Sequence, residues 1–146
     1  MPKEENKATS RRFYEELFNW GNLDAAEEMV TPGFVLHDPN IPEEPRGPDG
    51  LKRFVAMYRE AFPDIGFTIE DQVAEGENVA TRWVARGTHR GEFMGIVPTG
   101  NRVTMRAFTL HRFSEGKIVE DWAHYNALDI VRQLGVAPDG GRSRGA

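Results

Sequence analysis

The apolar positions of the chain change period near residue 65, and the change separates two kinds of element. In "NKATSRRFYEELFNWGN", Phe13, Leu17 and Trp20 fall on one stripe at 3.6-residue spacing, with Tyr14 and Phe18 beside it and Gly21 as a stop. The spacing predicts a helix whose broad apolar face covers a core. "LDAAEEMV" predicts a short second helix, capped by Asn22 or Asp24 and finished before Pro32 and Gly33. "GFVLHDP" then predicts a short strand that enters a loop rich in proline and acid. Leu51, Phe54, Val55, Tyr58 and Phe62 return to helical spacing, and Pro63 ends that run.

Beyond it the period is 2. "GFTIEDQVAEG" and "NVATRWVARGTH" predict strands joined at Gly76-Glu77-Asn78, and "RVTMRAFTLHRF" and "KIVEDWAHY" predict two more joined at Ser114-Glu115-Gly116. These make a curved antiparallel meander. Between the hairpins lies "RGEFMGIVPTGN", whose Phe93, Met94, Ile96 and Val97 fit either a loop docked on the core or a lid over a cavity. "ALDIVRQLG" predicts a short terminal helix. The expectation is one domain over residues 1–136 and a flexible tail over 137–146. Helices first and a long-stranded sheet afterwards give an α+β class. A curved sheet with helices across its concave face makes a cone with an interior pocket, the place to seek function.

Strand parity sorts the polar groups. In the last strand Val119, Asp121, Ala123 and Tyr125 share one face, and Glu120, Trp122, His124 and Asn126 the other. In the preceding strand Val103, Met105, Ala107, Thr109, His111 and Phe113 form the more apolar face, expected to point inward. A one-residue slip of register would invert the pairing of these faces.

Composition narrows the function. A net charge of −5 and a pI of about 5.4 argue against nucleic acid or an anionic membrane as partner. No cysteine is present, which excludes disulfides, thiolate nucleophiles and Cys-built metal sites and fits a reducing compartment. With no signal-like or membrane-length apolar run, the chain is expected to be cytoplasmic. There is no glycine-rich phosphate loop, dinucleotide fingerprint, H-E-x-x-H or G-x-S-x-G, so the common cofactor enzymes are disfavoured. His37, His89, His111 and His124 each stand alone, without the spacing of a metal site. The expectation is no metal and no cofactor.

The order of "FYEELFNWGNLDAAEEMVTPGFVLHDP", "GPDGLKRFVAMYREAFPD", "VATRWVARGTHRGEFMGIVPTGNRV", "GKIVEDW" and "RQLG" resembles the SnoaL-like polyketide cyclases and the wider ester-cyclase branch of the nuclear-transport-factor-like superfamily. G-T-H-x-G-x-F-x-G followed by P-T-G is its most specific part, and the match runs to about Val136. The resemblance implies a conical α+β barrel, an enclosed apolar pocket, and a homodimer formed through the sheet. It also implies a pocket aspartate acting as acid/base in an intramolecular aldol ring closure, without metal or cofactor. A dry pocket suits that chemistry by raising a carboxylate's pKa toward the working range.

The family aspartate, placed by the same resemblance, falls on Ala123, counted seven residues on from Gly116 or twelve back from Gly135. The cyclases' helper Gln and His fall on Ala107 and Thr109, and Asn126 stands where many members have Asp. By parity Asp121 is the carboxylate that can replace the missing acid, one pleat (~6.5 to 7 Å) away, with His111 of the neighbouring strand as its partner. The alternative for Asp121 is a structural tie to a strand end or an arginine. Tyr14, His37, Trp83, His89, Met94, Met105, Thr109 and Tyr125 are the expected substrate-binding set. His37 and His89 also suit loop anchors, His37 the more so, and Trp122 and His124 a dimer interface. The sequence thus admits an acid/base enzyme acting on a small apolar carbonyl compound, a binding protein that has lost its acid, or a protein whose sheet serves as an interaction surface.

Overall fold

The structure is a computed structural model that describes residues 2–135; the expected tail, 137–146, lies outside the described residues. Helix α1 (Pro2–Arg12) starts earlier than the apolar stripe indicates and runs straight into a π-helical segment, Phe13–Asn19. A π-turn bonds five residues back, as Trp20 N–H does to the Glu15 carbonyl at 2.9 Å, and so rotates later side chains out of the 3.6 phase. Phe13, Tyr14, Leu17 and Phe18 are therefore all buried, while Trp20, expected on the same stripe, is 69% exposed.

Two side chains hold the wider turn. Asn19 donates to the Phe67 carbonyl at 3.0 Å and accepts from the Phe67 N–H at 2.7 Å. The Arg59 guanidinium donates to the carbonyls of Phe18 and Asn19, satisfying the end of the segment. Gly21 follows at φ +72°, with that guanidinium packed 2.7 Å from where a Cβ would stand.

A 3₁₀ turn (Leu23–Ala25) leads into α2 (Ala26–Met29). Asn22 holds the cap position but its side chain makes no capping bond, and Asp24 lies inside the turn, so neither acts as the expected cap. Strand β1 (Val30–His37) takes in Pro32 and Gly33, because its register shifts between Val30 and Val35. Helix α3 (Gly47–Ala61) has Pro48 in its first turn. Strands β2 (Gly66–Glu75), β3 (Asn78–Thr88), β4 (Arg102–Ser114) and β5 (Lys117–Tyr125) follow, then α4 (Ala127–Gln133), capped where Asn126 Oδ1 accepts from Asp129 N–H at 3.0 Å.

The sheet runs β1-β5-β4-β3-β2. β2 to β5 form the expected antiparallel meander, but β1 joins β5 in parallel and makes the sheet mixed at one edge. Irregular register between Ile69 and Asp71 and between Arg112 and Phe113 bends the strands. The second bulge also turns Ile118 inward, leaving Val119, expected there, only half-buried. Helix α1 lies against β2 and β3, and α3 against β1. Along β4 the alternation is complete, with Val103, Met105, Ala107, Thr109, His111 and Phe113 all buried.

The "GTHRG" turn caps α3. The N–H groups of Arg90 and Gly91 donate to the Ala61 carbonyl at 2.8 and 3.1 Å. Gly91 approaches so closely that an added Cβ would sit 2.5 Å from the Glu60 carbonyl oxygen. Asp64 locks the same corner by accepting from the N–H and hydroxyl of Thr88 at 2.7 and 2.8 Å, which holds its carboxyl below the usual range. In the following loop Phe93 is buried against Tyr58 and Phe62, whereas Val97 points outward. That is a docked loop.

Candidate active site

The inward faces of three strands form rows across the sheet. Val79, His111 and Asp121 make one, Thr81, Thr109 and Ala123 the next, and Trp83, Ala107 and Tyr125 the third. β1 extends them: Leu36 pairs with Asp121 and His37 with Trp122, so Asp38 comes level with Ala123. The helices close over these rows and leave a small cavity between them. Phe13, Tyr14, Phe18, Phe54, Tyr58, Phe67 and Trp83 give it aromatic walls, and its polar groups are Asp38, Thr109, Asp121 and Tyr125.

Asp121 is 2% exposed and accepts from His111 Nε2–H at 2.9 Å through Oδ2. The fully buried His111 ring then accepts from the Ser10 hydroxyl at Nδ1, 2.8 Å away. A carboxylate on one nitrogen and a hydroxyl on the other assign the ring proton to Nε2. Although the order Ser10–His111–Asp121 has the composition of a hydrolytic triad, Ser10 is wholly buried and does not line the cavity, so it presents no nucleophile. The chain instead fixes the carboxylate in place. Asp121 Oδ1, by contrast, has no hydrogen-bond partner. Leaving a buried polar atom unpaired costs on the order of 1–3 kcal/mol, which a ligand's hydroxyl or a shared proton would recover.

Elsewhere the cavity wall carries hydroxyl and indole groups. The Tyr14 phenol bonds Thr109 Oγ1, and burial pushes it well above its ordinary value, so it keeps its proton. The Trp83 indole N–H has no hydrogen-bond partner. At the opposite side the Tyr125 hydroxyl donates to Asp38 Oδ2 at 2.7 Å; burial and that carboxylate hold both Tyr125 and Tyr58 protonated. Such a pocket can take a proton from, or give one to, an apolar molecule while donating hydrogen bonds to its oxygens.

The structure thus brings Asp121, Tyr14, Trp83, Thr109 and Tyr125 to one cavity, with His111 directly behind. It does not bring the others there. Met105 borders a separate small space beside Ala85 and Val103. Met94 points to solvent from the docked loop. His89 is buried under Phe62, its Nδ1 held by Thr99. Sequence reasoning missed Asp38, Ser10, Phe54 and Tyr58. The signal for Asp38 was parity, since Phe34 and Leu36 are apolar and residue 38 continues their face.

His37 faces outward, stacked on Trp122 and bonded to Glu44 at 2.7 Å and Glu120 at 2.9 Å. It ties the loop over 38–46 to β5. Burial alone would lower its pKa, but the two carboxylates outweigh that and raise it above 6.5. Glu120 is lowered from 4.5, first by Arg112 and then by His37. A raised folded-state pKa gives stability that is full below the unfolded value and lost as pH rises through the folded one. The clamp is therefore complete from about 4.5 to about 6.5 and weakens above. The thermal midpoint of wild type relative to His37→Gln is expected to fall between pH 6 and pH 8.5; a difference that does not change with pH would refute the clamp.

Among the described residues no helix is long and apolar enough to cross a membrane, and no three His, Asp or Glu side chains are placed to hold a metal ion. Comparison with known proteins gives a family and a fold. The family model described as SnoaL-like polyketide cyclase matches residues 8–134. An aklanonic acid methyl ester cyclase of Streptomyces peucetius, DnrD, is 30% identical over 128 residues, covering 82% of this chain and 84% of the relative. The crystal structure of IdmH from Streptomyces antibioticus, named as a candidate polyketide cyclase, superposes with a TM-score of 0.75 at 37% identity, covering 90% of this chain and 99% of that one. A candidate SnoaL-like cyclase from Jannaschia sp. CCS1 gives a TM-score of 0.82 at 26% identity, covering 93% and 95%.

Proposed function

Because the chain belongs to the SnoaL-like polyketide cyclase family, we propose that it closes a ring in a small, largely apolar carbonyl compound by an intramolecular aldol reaction, using no metal or cofactor. The observation that carries this reading is Asp121: a buried carboxylate held from behind by His111, with one bare oxygen at an aromatic cavity. Asp121 is the acid/base residue, and His111 with Ser10 positions it. Tyr14 and Trp83 are the donors available to a substrate oxygen on which negative charge develops. Excluding water from such a site strengthens those hydrogen bonds.

Aklanonic acid methyl ester, the compound named in the relatives, is the first to offer, beside a panel of other polyketide and terpenoid carbonyl compounds. Binding and conversion are measured separately. Saturable binding with ring closure supports the enzyme. Saturable binding without conversion of any compound supports a binding protein instead, a reading favoured by the bare methyl of Ala123 in the middle of the wall. Absence of both removes the two together.

The outer face of the sheet supports a homodimer. Phe108 is 62% exposed there, with Leu110 and Trp122 on the same face. A second copy would cover this patch. Sedimentation should give a dimer that Phe108→Lys dissociates; a wild-type monomer would exclude it.

A further inference from the structure

We propose that Asp38 is a second catalytic carboxylate of this site: it takes the proton from carbon, and Asp121 protonates the new alkoxide. The division rests on the ring-closure reading above. Asp38 is 4% exposed and faces the cavity from the end of β1. Among the described residues it and Asp121 are the two carboxylates in the wall. Two residues along and one strand across, their Cα atoms stand about 8 Å apart. Ala123, with the shortest side chain of the wall, lies level with Asp38 and two residues from Asp121.

The two groups are surrounded differently. Asp38 accepts from Asn40 N–H at 2.8 Å on Oδ1 and from the Tyr125 hydroxyl at 2.7 Å on Oδ2. Two donors and no acceptor suit an ion. Asp121 accepts one donor and keeps one bare oxygen, the atom on which a carboxylic acid carries and donates its proton. With one ion and one acid, the apolar cavity holds a single negative charge instead of two.

The reaction then balances with no outside reagent. Asp38 takes the proton from a carbon next to a carbonyl, and the C–H electron pair becomes the enolate. The enolate carbon bonds to a second carbonyl carbon of the same molecule, whose π pair moves onto its oxygen. Asp121 Oδ1–H gives its proton to that oxygen. Asp38 ends protonated and Asp121 ionised, and exchange with water after product release restores both.

The test is run in D₂O with aklanonic acid methyl ester, following deuterium entry at the acidic carbon and ring closure by mass spectrometry. Asp38→Asn is expected to lose both by about 10²-fold or more. Asp121→Asn should lose closure yet still exchange deuterium into the substrate. Where Asp38→Asn does not fold, Tyr125→Phe decides, since it keeps the carboxylate and the ring packing: a roughly tenfold fall in exchange supports the assignment and no fall overturns it. Closure by Asp38→Asn at the wild-type rate overturns it, as does exchange that survives in Asp38→Asn but not in Asp121→Asn. Wild-type protein that neither closes nor exchanges the compound removes the ring-closure reading itself, and this division with it.

Discussion

Asp121→Asn is expected to slow ring closure by about 10²–10⁴-fold, the usual worth of a positioned acid/base group. The amide keeps the size and shape of the carboxyl, and its oxygen can still accept the His111 Nε2–H. Fold and cavity should therefore persist, and the variant should bind ligand nearly as wild type does. What it loses is a proton that can be given up or taken, so the loss belongs in kcat and not in KM. Turnover equal to wild type on a compound that wild type converts would remove Asp121 from the chemistry.

Phe13→Ala is expected to give the largest loss of stability. Phe13 is buried where the helix turns from α to π, with ring contacts to Tyr14, Phe18 and His111 at centroid distances of 5.1, 5.8 and 4.7 Å. Emptying such a position costs about 3–5 kcal/mol, or roughly 6–20 °C of thermal midpoint for a domain of this size. Trp20→Ala removes a larger side chain from the same run, yet it should cost only about 0.5 kcal/mol because Trp20 faces solvent. Thermal melts of the two variants side by side test the helical phase directly. Equal losses would mean that Trp20 packs on the stripe after all.

Most of the architecture could be read from periodicity. The four meander strands, the long helix before them and the inward face of β4 follow from period and turn chemistry, and the curved sheet under helices follows from their order. The pair Asp121–His111 was legible for the same reason, since both lie on strands whose parity is set by apolar neighbours. Two things were not. A π-turn depends on what waits at its end, here Asn19 on the Phe67 backbone and Arg59 on two carbonyls, and no local pattern encodes those distant partners. The bearing of β1 was equally hidden, because its parallel pairing with β5 is made across the whole fold and not through a turn. Without it Asp38 reads as a loop residue. Ser10 escaped notice because a serine on the polar part of a helix has no period of its own.

The edge strand also bears on when a molecule becomes competent. The meander and the His111–Asp121 bond close over short loops, the latter joining residues 10 apart. The other polar links of the site join residues 87, 95 and 101 apart: Tyr125 to Asp38, Tyr14 to Thr109, and Ser10 to His111. Contacts so remote in sequence close long loops, at a cost in chain entropy greater than that of the short hairpins. A molecule can thus possess the complete antiparallel sheet and still lack its reaction chamber. Competence also requires the segment from Ser10 to Asp38 to be docked on that sheet, so the chemistry reports on the whole fold and not on the meander alone.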